Sequence, residues 1–586
     1  MRIRRNRDRE RGVSLFVAVA ALVWVIIPML GIFIDLGILY SAKARLQAAV
    51  DGSALAAARA LNLGQTTAEQ SSAAQQNAVD WFYANFPPGN WNTQNTVMNT
   101  GTVTVVNSPN QANLRQVTVT ATTNVPAWFM KFLGFNSGTN LTLTGQASRR
   151  DVVAMLVLDR SGSMCSINGA SPSPPCKEGD GTPCASMITA AKNFTGAFAE
   201  GRDQIGMLTF ADGWYLDSAP TTNFQSALGY SNASGSGTGA IDNVTCAGGT
   251  GTAAAVSLAY NELYKLAEPG AMNIIMLETD GLPNTVVYNY YATPGTTSTW
   301  ALNTSSGCQD ATGKTWNQNG WRTTTSAPGW LPADGSIAAG ISMNTGGTGY
   351  MSDIPNRAIG AFYTADPSQG PPYFNYVLFD PRQASDTNGS SNSIALGTNS
   401  SGNLNGTVNG CQFPVQQGRP GNYTYTESTT YSDFNWLPSQ DVFGNQIAPS
   451  NEYQSLALSS SNGVSYLNLT GTISTDWPNT HAAALNAADN SAYNARSNAT
   501  LPAYVFTIGL GGNNGNPPDP ILLQRMANDP NGDQFNSPAV YPACSTEPTC
   551  VSYPNQPQGQ FIYAPTAAQL GQAFLAISSQ ILRLSH

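Results

Sequence analysis

Three short polar signatures carry oxygen-bearing side chains that together could bind a metal ion. The signatures are DRSGSM at 159–164, GGTGT at 248–252 and TDG at 279–281. Their five candidate ligands are Asp159, Ser161, Ser163, Thr250 and Asp280. Thr252 competes with Thr250 for the threonine position. Carboxylate and hydroxyl oxygens suit Mg²⁺ first, and also Mn²⁺ or Ca²⁺. Two acids hold such an ion weakly and leave a position that an acidic group of a partner can fill.

The elements around these signatures predict how they meet. The runs VVAMLVLD and NIIMLETD are apolar and end in an acid, which is typical of strands buried on both faces. Further strands are predicted at 203–210, 503–510 and 561–563, and helices at 186–200, 252–267, 480–498, 519–528 and 566–583. This alternation predicts an α/β fold with a doubly wound, mostly parallel sheet. Ligands bind beyond the carboxyl ends of such strands, where all three signatures lie.

Each signature also has an interpretation without a metal. An Asp at a strand end is often a helix N-cap, and serine-rich turns are common in this composition. The three signatures in order, each after a predicted strand or before a helix, favour the ion site.

Other sites are excluded or disfavoured by the residues present. A net charge of −9 excludes a chain-wide basic surface for nucleic acid. Gly313-Lys314-Thr315 lacks the first glycine of a phosphate loop, because Cys308 stands there, so no nucleotide is expected. With only His481 and His586, sites that need several imidazoles are ruled out. His481 lies at a predicted helix start, where a solvated capping role is expected.

The N-terminal segment predicts a membrane anchor. Residues 2–11 contain six arginines, and residues 13–34 contain no charged side chain. A helix over 13–34 rises about 33 Å, enough to cross the hydrocarbon core. The positive-inside rule places residues 1–12 in the cytoplasm and the bulk outside a bacterial inner membrane. A cleaved signal peptide is the alternative, but the run is too long and continues into an Ala-rich helix at 41–61.

The remaining segments complete the predicted organisation. Residues 35–150 combine a helix at 66–86 with alternating strands over 101–147. The α/β domain occupies 151–284 and 480–586. Between them, 285–479 is rich in Asn, Ser, Gly, Thr and aromatic residues, which predicts an ordered, turn-rich lobe of short strands over one end of the sheet.

Eight cysteines follow the membrane segment, as expected for disulfides in an exported protein. Cys544 and Cys550 are the easiest pair to propose, and Cys165, Cys176 and Cys184 share one loop. A four-cysteine zinc site is the alternative, although no CxxC pair exists.

Two family resemblances arise from these motifs. DRSGSM and ETDGLPN make 151–283 with 480–583 resemble a von Willebrand factor A domain with a metal-ion-dependent adhesion site. That resemblance implies the same five ligands, some of them acting through water. RGVSLFVAVA and LQAAVDGSALAAARAL are similar to TadE/TadG-like proteins of Flp pilus assembly (tight adherence), whose 35–150 equivalent is pilin-like. Val17 stands where a prepilin cleaved after Gly12 would carry Glu, which disfavours processing as a pilin.

The leading hypothesis is a membrane-anchored binding and assembly protein, not an enzyme. Its partner would be a pilus or secretion component that offers a carboxylate to the ion. One alternative is a metal-dependent hydrolase of a cell-surface polymer, for which no general base is evident in the signatures. The other is a structural pilus subunit whose ion only stabilises the fold.

Overall fold

A computed structural model describes most of the chain outside one long central region. The described residues are 15–64, 66–108, 111–133, 138–166, 176–211, 214–229, 240–246, 250–268, 270–288, 436–441, 443–461, 463–468, 473–511, 517–533 and 550–585, with short strands between 303 and 412. They form two compact units. The first is Met1–Asp151 with Leu584–His586, and the second is Val152–Arg583.

The first unit is built on one long helix. The helices are α1 (Leu15–Ala60) and α2 (Thr67–Asn85), and the strands are β1 (Gln94–Val97), β2 (Val103–Ser108), β3 (Gln111–Val125) and β4 (Thr139–Arg150). All strand pairs of this unit are antiparallel: β3 pairs with β4 along one edge, and with β1 and β2 along the other. A capping box begins α2, in which Thr66 and Glu69 each accept the other's backbone N–H at 3.2 Å.

The two halves of α1 have different surroundings. Its second half packs Leu46 and Val50 against Phe82 of α2 and Val119 of β3 in the core of this unit. Its first half exposes a continuous set of apolar side chains. Among the described residues, α1 is the helix that is long and apolar enough to cross a membrane. An N-terminal apolar helix followed by an α/β fold is therefore present, as predicted.

The second unit contains the predicted mixed sheet. Its strands are β5 (Val152–Asp159), β7 (Gln204–Phe210), β8 (Trp214–Thr221), β10 (Met272–Thr279), β21 (Tyr504–Leu510) and β22 (Phe561–Ala564). The order is β22-β21-β10-β5-β7-β8, and every pair is parallel except β7 with β8. Strand β8 was not predicted. It is an antiparallel edge strand, and its sequence WYLDSAPT has only three apolar residues before it becomes mostly polar.

A short antiparallel pair lies outside this sheet. It joins β6 (Cys176–Lys177) to β9 (Thr245–Cys246), with Cys176 opposite Cys246. Each strand has only two residues, so the sequence carries no alternation that could have predicted it.

Helices cover both faces of the mixed sheet. They are α3 (Pro183–Thr195), α4 (Phe224–Leu228), α5 (Thr252–Leu266), α6 (Ile473–Ser497), α7 (Pro520–Ala527) and α8 (Ala567–Leu584). Residues of α5, α6 and α7 share one hydrophobic core with alternate residues of β5 and β10. Residues of α3 and α8 form the core on the opposite face. Both faces of β5 and β10 are therefore buried, which explains why both sequences are mostly apolar.

The prediction for His481 was wrong. Helix α6 begins at Ile473, so half-buried His481 lies inside the helix and not at its start. The sequence predicted a helix over 480–498, which would begin two residues after Pro478. The helix instead includes Pro478.

The region 285–479 includes several small antiparallel sheets. One contains β11 (Thr285–Tyr288), β13 (Gly360–Thr364), β14 (Phe374–Phe379) and β15 (Ser393–Ala395), and another contains β12 (Asn303–Thr304), β16 (Thr407–Val408) and β17 (Cys411–Gln412). A third contains β18 (Trp436–Pro438), β19 (Ser459–Ser461) and β20 (Val464–Asn468). Leu437, Ile447 and Leu467 belong to the same core as α5 and α6. The last part of the predicted lobe thus packs into the domain, while most of 289–435 lies outside the described residues.

Candidate metal centre

The first signature leaves strand β5 and turns at once. Asp159 ends β5, and its Oδ1 accepts the backbone N–H of Ser161 at 2.7 Å. A 3₁₀ turn over Gly162–Cys165 follows. It carries Ser163, whose Oγ lies 2.8 Å from the Oγ of Ser161. Alternate residues of this short turn therefore present their oxygens to one side.

The TDG signature at 279–281 brings its acid to these serines. Asp280 directly follows the neighbouring strand β10, and its Oδ1 accepts hydrogen bonds from Ser163 at 2.5 Å and Ser161 at 3.5 Å. Thr279 Oγ1 donates to Asp159 Oδ2 at 2.5 Å. Two acids that are far apart in sequence thus belong to one hydrogen-bonded cluster at the carboxyl ends of adjacent parallel strands.

The GGTGT signature at 248–252 contributes Thr250 to the cluster. A Cβ on Gly281 would lie 3.6 Å from Thr250 Oγ1 and 3.7 Å from Ser163 Oγ, so the two hydroxyls flank the same glycine. Thr250 N–H donates to Asn284 Oδ1 at 2.7 Å, and Asn284 N–H donates to Thr250 O at 3.0 Å. This reciprocal pair holds the threonine loop against the end of β10. Gly248 and Gly249 lie outside the described residues.

The competing Thr252 has a different position. It is the first residue of helix α5 and is buried, and its Oγ1 has no hydrogen-bond partner within the described part of the chain. Thr250, whose hydroxyl lies beside Gly281 together with that of Ser163, is therefore favoured as the member of the cluster.

The cluster reaches solvent on one side. Asp159, Ser161 and Thr250 are buried, whereas Ser163 and Asp280 are partly exposed. An ion held by these oxygens would therefore face solvent at Ser163 and Asp280.

Negative charge in the cluster is not balanced by the described residues. Burial raises the pKa of Asp159, and burial together with the charge of Asp159 raises the pKa of Asp280 well above its usual range. Neither acid forms a salt bridge with a lysine or arginine in the described part of the chain. A divalent cation would remove the repulsion between the two carboxylates, so the residues present fit such an ion.

Sequence reasoning missed three residues next to the predicted ligands. Thr279 and Asn284 position Asp159 and Thr250, and both stand in the ETDGLPN segment, whose polar residues were the available signal. The third is Glu278, a fully buried acid on β10 whose carboxylate oxygens lack hydrogen-bond partners in the described residues. Burial, followed by the charges of Asp159 and Asp280, raises its pKa well above the usual range. Glu278 is the first residue of the same ETDGLPN segment, but its position inside a buried strand did not indicate that its carboxylate would lie near Asp159 and Asp280.

Disulfides flank the first signature. Cys165, in the same turn as Ser163, is bonded to Cys176, and Cys184 is bonded to Cys246. The sulfurs of Cys176, Cys184 and Cys246 lie within 4.8 Å of one another, a spacing that a zinc site could also use. In the structure these sulfurs form disulfides, so they are not thiolate ligands. Cys550 is also disulfide-bonded, and the expected partner Cys544 lies outside the described residues.

Comparisons with known protein families agree with this architecture. Residues 12–60 match the Flp pilus-assembly TadE/G-like family model, and residues 154–282 match the von Willebrand factor type A domain model. No curated protein sequence matches the chain.

Several solved structures are similar to the chain at low identity and low TM-score. One is the PilB minor pilin from Streptococcus sanguinis, with 10% identity, a TM-score of 0.29 and coverage of 84% of this chain and 79% of that one. Another is the vWF domain of the type V pili tip protein Mfa5 from Porphyromonas gingivalis, with 15% identity, a TM-score of 0.28 and coverage of 75% and 98%. The pilus adhesin SpaC from Lactobacillus rhamnosus GG has 12% identity, a TM-score of 0.29 and coverage of 84% and 35%.

The two family matches cover separate parts of the chain and coincide with the two structural features described above. The match to the TadE/G-like pilus-assembly model, over residues 12–60, includes all of helix α1, and the match to the von Willebrand factor type A model, over residues 154–282, includes the oxygen cluster.

Proposed function

We propose that this protein is a membrane-anchored adhesion and pilus-assembly protein that binds an acidic side chain of a partner protein through a divalent cation. The cation would be held by Asp159, Ser161, Ser163, Thr250 and Asp280. The observation that carries the proposal is the meeting of Asp159 and Asp280 in one cluster, with no ion pair to a cation of the described residues.

Mg²⁺ fits this donor set best, and Mn²⁺ or Ca²⁺ would use the same oxygens. When bound, the ion supplies positive charge between the two carboxylates. Two acids and three neutral hydroxyls do not complete the coordination of a hard cation. A carboxylate from a partner can reach the ion on the exposed side, at Ser163 and Asp280.

Helix α1 would anchor the protein in the bacterial inner membrane. The six arginines of residues 2–11 would stay in the cytoplasm, and the two units would be exported. The disulfides Cys165–Cys176 and Cys184–Cys246 support an oxidising compartment for the domain.

No specific observation favours the hydrolase alternative. A third acid does lie beside the cluster, at Glu278, but its side chain is fully buried and cannot reach a substrate or a solvent water. The partner would be a pilus or secretion component, because the TadE/G-like segment is of the pilus-assembly type.

The first experiment measures metal binding by the full chain in lipid nanodiscs. Titration with Mn²⁺ or Mg²⁺, followed by calorimetry, should show one site that is lost in Asp159→Ala. Asp180→Ala is the matched control, because Asp180 is an exposed acid of the same domain. Loss of binding in both variants, or in neither, contradicts the proposed ligand set.

The second experiment separates adhesion from a purely structural ion. Immobilised peptides that differ only in Glu or Gln are presented to the metal-loaded chain. If the chain is retained on the Glu peptides and chelator abolishes this retention, adhesion is supported. If the chain binds metal but is not retained, the structural-subunit alternative is supported. Release of fragments from a cell-surface polysaccharide in the presence of metal would support the hydrolase.

A further inference from the structure

The connection between β3 and β4 lies against the membrane helix. We call residues 126–133 the aromatic turn; it contains Trp128, Phe129 and a 3₁₀ turn over Met130–Leu133. The side chains of Trp128 and Phe129 are 57% and 41% exposed. Two large aromatic side chains are thus presented to the surroundings next to α1.

A buried acid of α1 fixes this turn in place. The carboxylate of Asp35, only 6% exposed, accepts three consecutive backbone N–H groups. Trp128 donates at 3.1 Å, Phe129 at 2.9 Å and Met130 at 2.7 Å. Hydrogen bonds to a carboxylate are stronger than those between neutral groups, so this contact holds the turn firmly on the helix.

A glycine of α1 lets the turn approach closely. A Cβ on Gly31 would lie 2.6 Å from Phe129 Cβ and 2.7 Å from its Cγ, closer than non-bonded carbons can approach. Gly31 precedes Asp35 by four residues, so both face the same side of the helix. Phe129 therefore packs directly on the helix backbone.

The position along α1 places the turn at the edge of the bilayer. The uncharged run 13–34 has the length of the hydrocarbon core, so Gly31 and Asp35 lie at its carboxyl-terminal end. Trp is enriched at the interface between hydrocarbon and headgroups, where its apolar ring and polar N–H both find partners. Exposed Lys131, in the same turn, suits anionic headgroups.

We propose that the aromatic turn is a second membrane contact, in which Trp128 and Phe129 enter the lipid interface beside α1. The proposal rests on the membrane anchor of the proposed function but not on the metal site. Together, the clamp by Asp35 and the lipid contact set the rotation of α1 in the bilayer. The lipid interface is the preferred occupant because the turn is continuous with the apolar surface of α1, which exposes Leu30 just before and Leu36 just after the contact at Gly31 and Asp35.

The test uses tryptophan fluorescence of the full chain in phosphatidylcholine–phosphatidylglycerol vesicles with brominated acyl chains, which quench only tryptophans in the bilayer. Trp128→Phe should remove about half of the quenched signal, since Trp24 of α1 is the other tryptophan expected at bilayer depth. Trp81→Phe is the matched control. Trp81 is 48% exposed and contacts Gly52, about 25 Å farther along α1 than Asp35.

The outcomes distinguish the turn from the anchor. If Trp24→Phe lowers the quenched signal and Trp128→Phe does not, the aromatic turn is outside the lipid and this inference fails while the anchor stands. If Trp24→Phe changes nothing, the anchor itself fails. A Trp128→Phe variant that loses self-association instead of quenching would show that a second copy covers the turn, which also overturns the inference.

A second pair of variants tests the close approach. Gly31→Ala should displace the aromatic turn and reduce the quenching of Trp128. Gly37→Ala should leave it unchanged, because a Cβ on Gly37 has no atom within 4 Å. Equal quenching of Trp128 in both variants would contradict a turn held on α1 at Gly31.

Discussion

Two groups of acids in the second unit differ in how their charge is balanced. Asp489 of α6 is paired with Arg525 of α7 at 2.6 Å, and both side chains are almost fully buried. Arg525 also donates to the carbonyl oxygen of Asn451 at 2.8 Å and lies over the ring of Tyr453. Here the chain supplies its own cation and completes its hydrogen bonds.

Asp159, Asp280 and Glu278 have no such cation among the described residues. Serine and threonine hydroxyls donate to the first two acids, but these neutral donors do not remove the mutual repulsion. A fold that neutralises Asp489 by itself, yet leaves three acids close together where β5 and β10 end, indicates a position for an external cation.

The largest effect is expected where the internal cation is removed. Arg525→Ala leaves Asp489 buried without a partner and should cost about 3–5 kcal/mol of stability. The melting temperature of the full chain should fall, and saturating Mg²⁺ should not restore it, because the ion binds elsewhere.

The double variant Asp489→Leu with Arg525→Met is the control, since a buried ion pair can be replaced by apolar residues at little loss. It should recover most of the lost stability. If Mg²⁺ restored the melting temperature of Arg525→Ala, the two groups of acids would not differ in their need for an external cation.

The opposite response is expected at the metal cluster. Asp280→Asn removes a charge that repels Asp159 and Glu278 but keeps an oxygen to accept from Ser163. The metal-free variant should therefore melt at a higher temperature than the metal-free wild type. It should also lose the stabilisation by metal, which in the wild type amounts to about 2.7 kcal/mol at a concentration of 100 times Kd.

Thermal unfolding with Mg²⁺ and with chelator measures both effects. A lower melting temperature for metal-free Asp280→Asn would mean that the acid stabilises the fold by its hydrogen bonds alone. In that case the three acids would not require an external cation.

A third test uses pH. In the metal-free fold the pKa values of Asp159, Asp280 and Glu278 are raised, so the native state holds protons that the unfolded chain releases. Metal-free stability should therefore fall as pH rises from the unfolded pKa values, near 4, through the raised ones, by up to about 1.4 kcal/mol per pH unit for each proton retained.

Metal binding needs the deprotonated acids, so the increase in melting temperature caused by Mg²⁺ should be larger at pH 8 than at pH 5.5. The contribution of the Asp489–Arg525 pair to stability should not depend on metal at either pH. An increase that is equal at both pH values would show that the carboxylates are not in contact with the ion.

The strands and the polar signatures could be predicted from the sequence for a physical reason. Strands β5 and β10 are buried on both faces, so their sequences are mostly apolar, and the change to consecutive polar residues marks the end of each strand. Asp159 and Asp280 stand at those ends, and parallel pairing of β5 with β10 then places them side by side. The alternation of strands and helices along the chain was therefore enough to predict that these two strand ends meet.

Other features depended on contacts that no local pattern reveals. Glu278 lies in an apolar strand, and its role became visible only when β10 was placed beside Asp159. The clamp by Asp35 joins α1 to a turn more than 90 residues later. The start of α6 was predicted after Pro478, whereas the helix extends to Ile473.

The smallest effect is expected from the two threonines, and it decides between the candidates that the sequence left open. Thr250→Val removes one neutral oxygen from the cluster and should weaken Mn²⁺ binding roughly tenfold, the size of one interaction with a charged group. Thr252→Val removes a buried hydroxyl that has no partner in the described structure, so Mn²⁺ affinity should not change and the melting temperature should stay equal or rise. Calorimetric titration of both variants measures this. If Thr252→Val is the variant that weakens binding, helix α5 supplies the ligand through its first residue, and the loop held by Asn284 serves only to shape the fold.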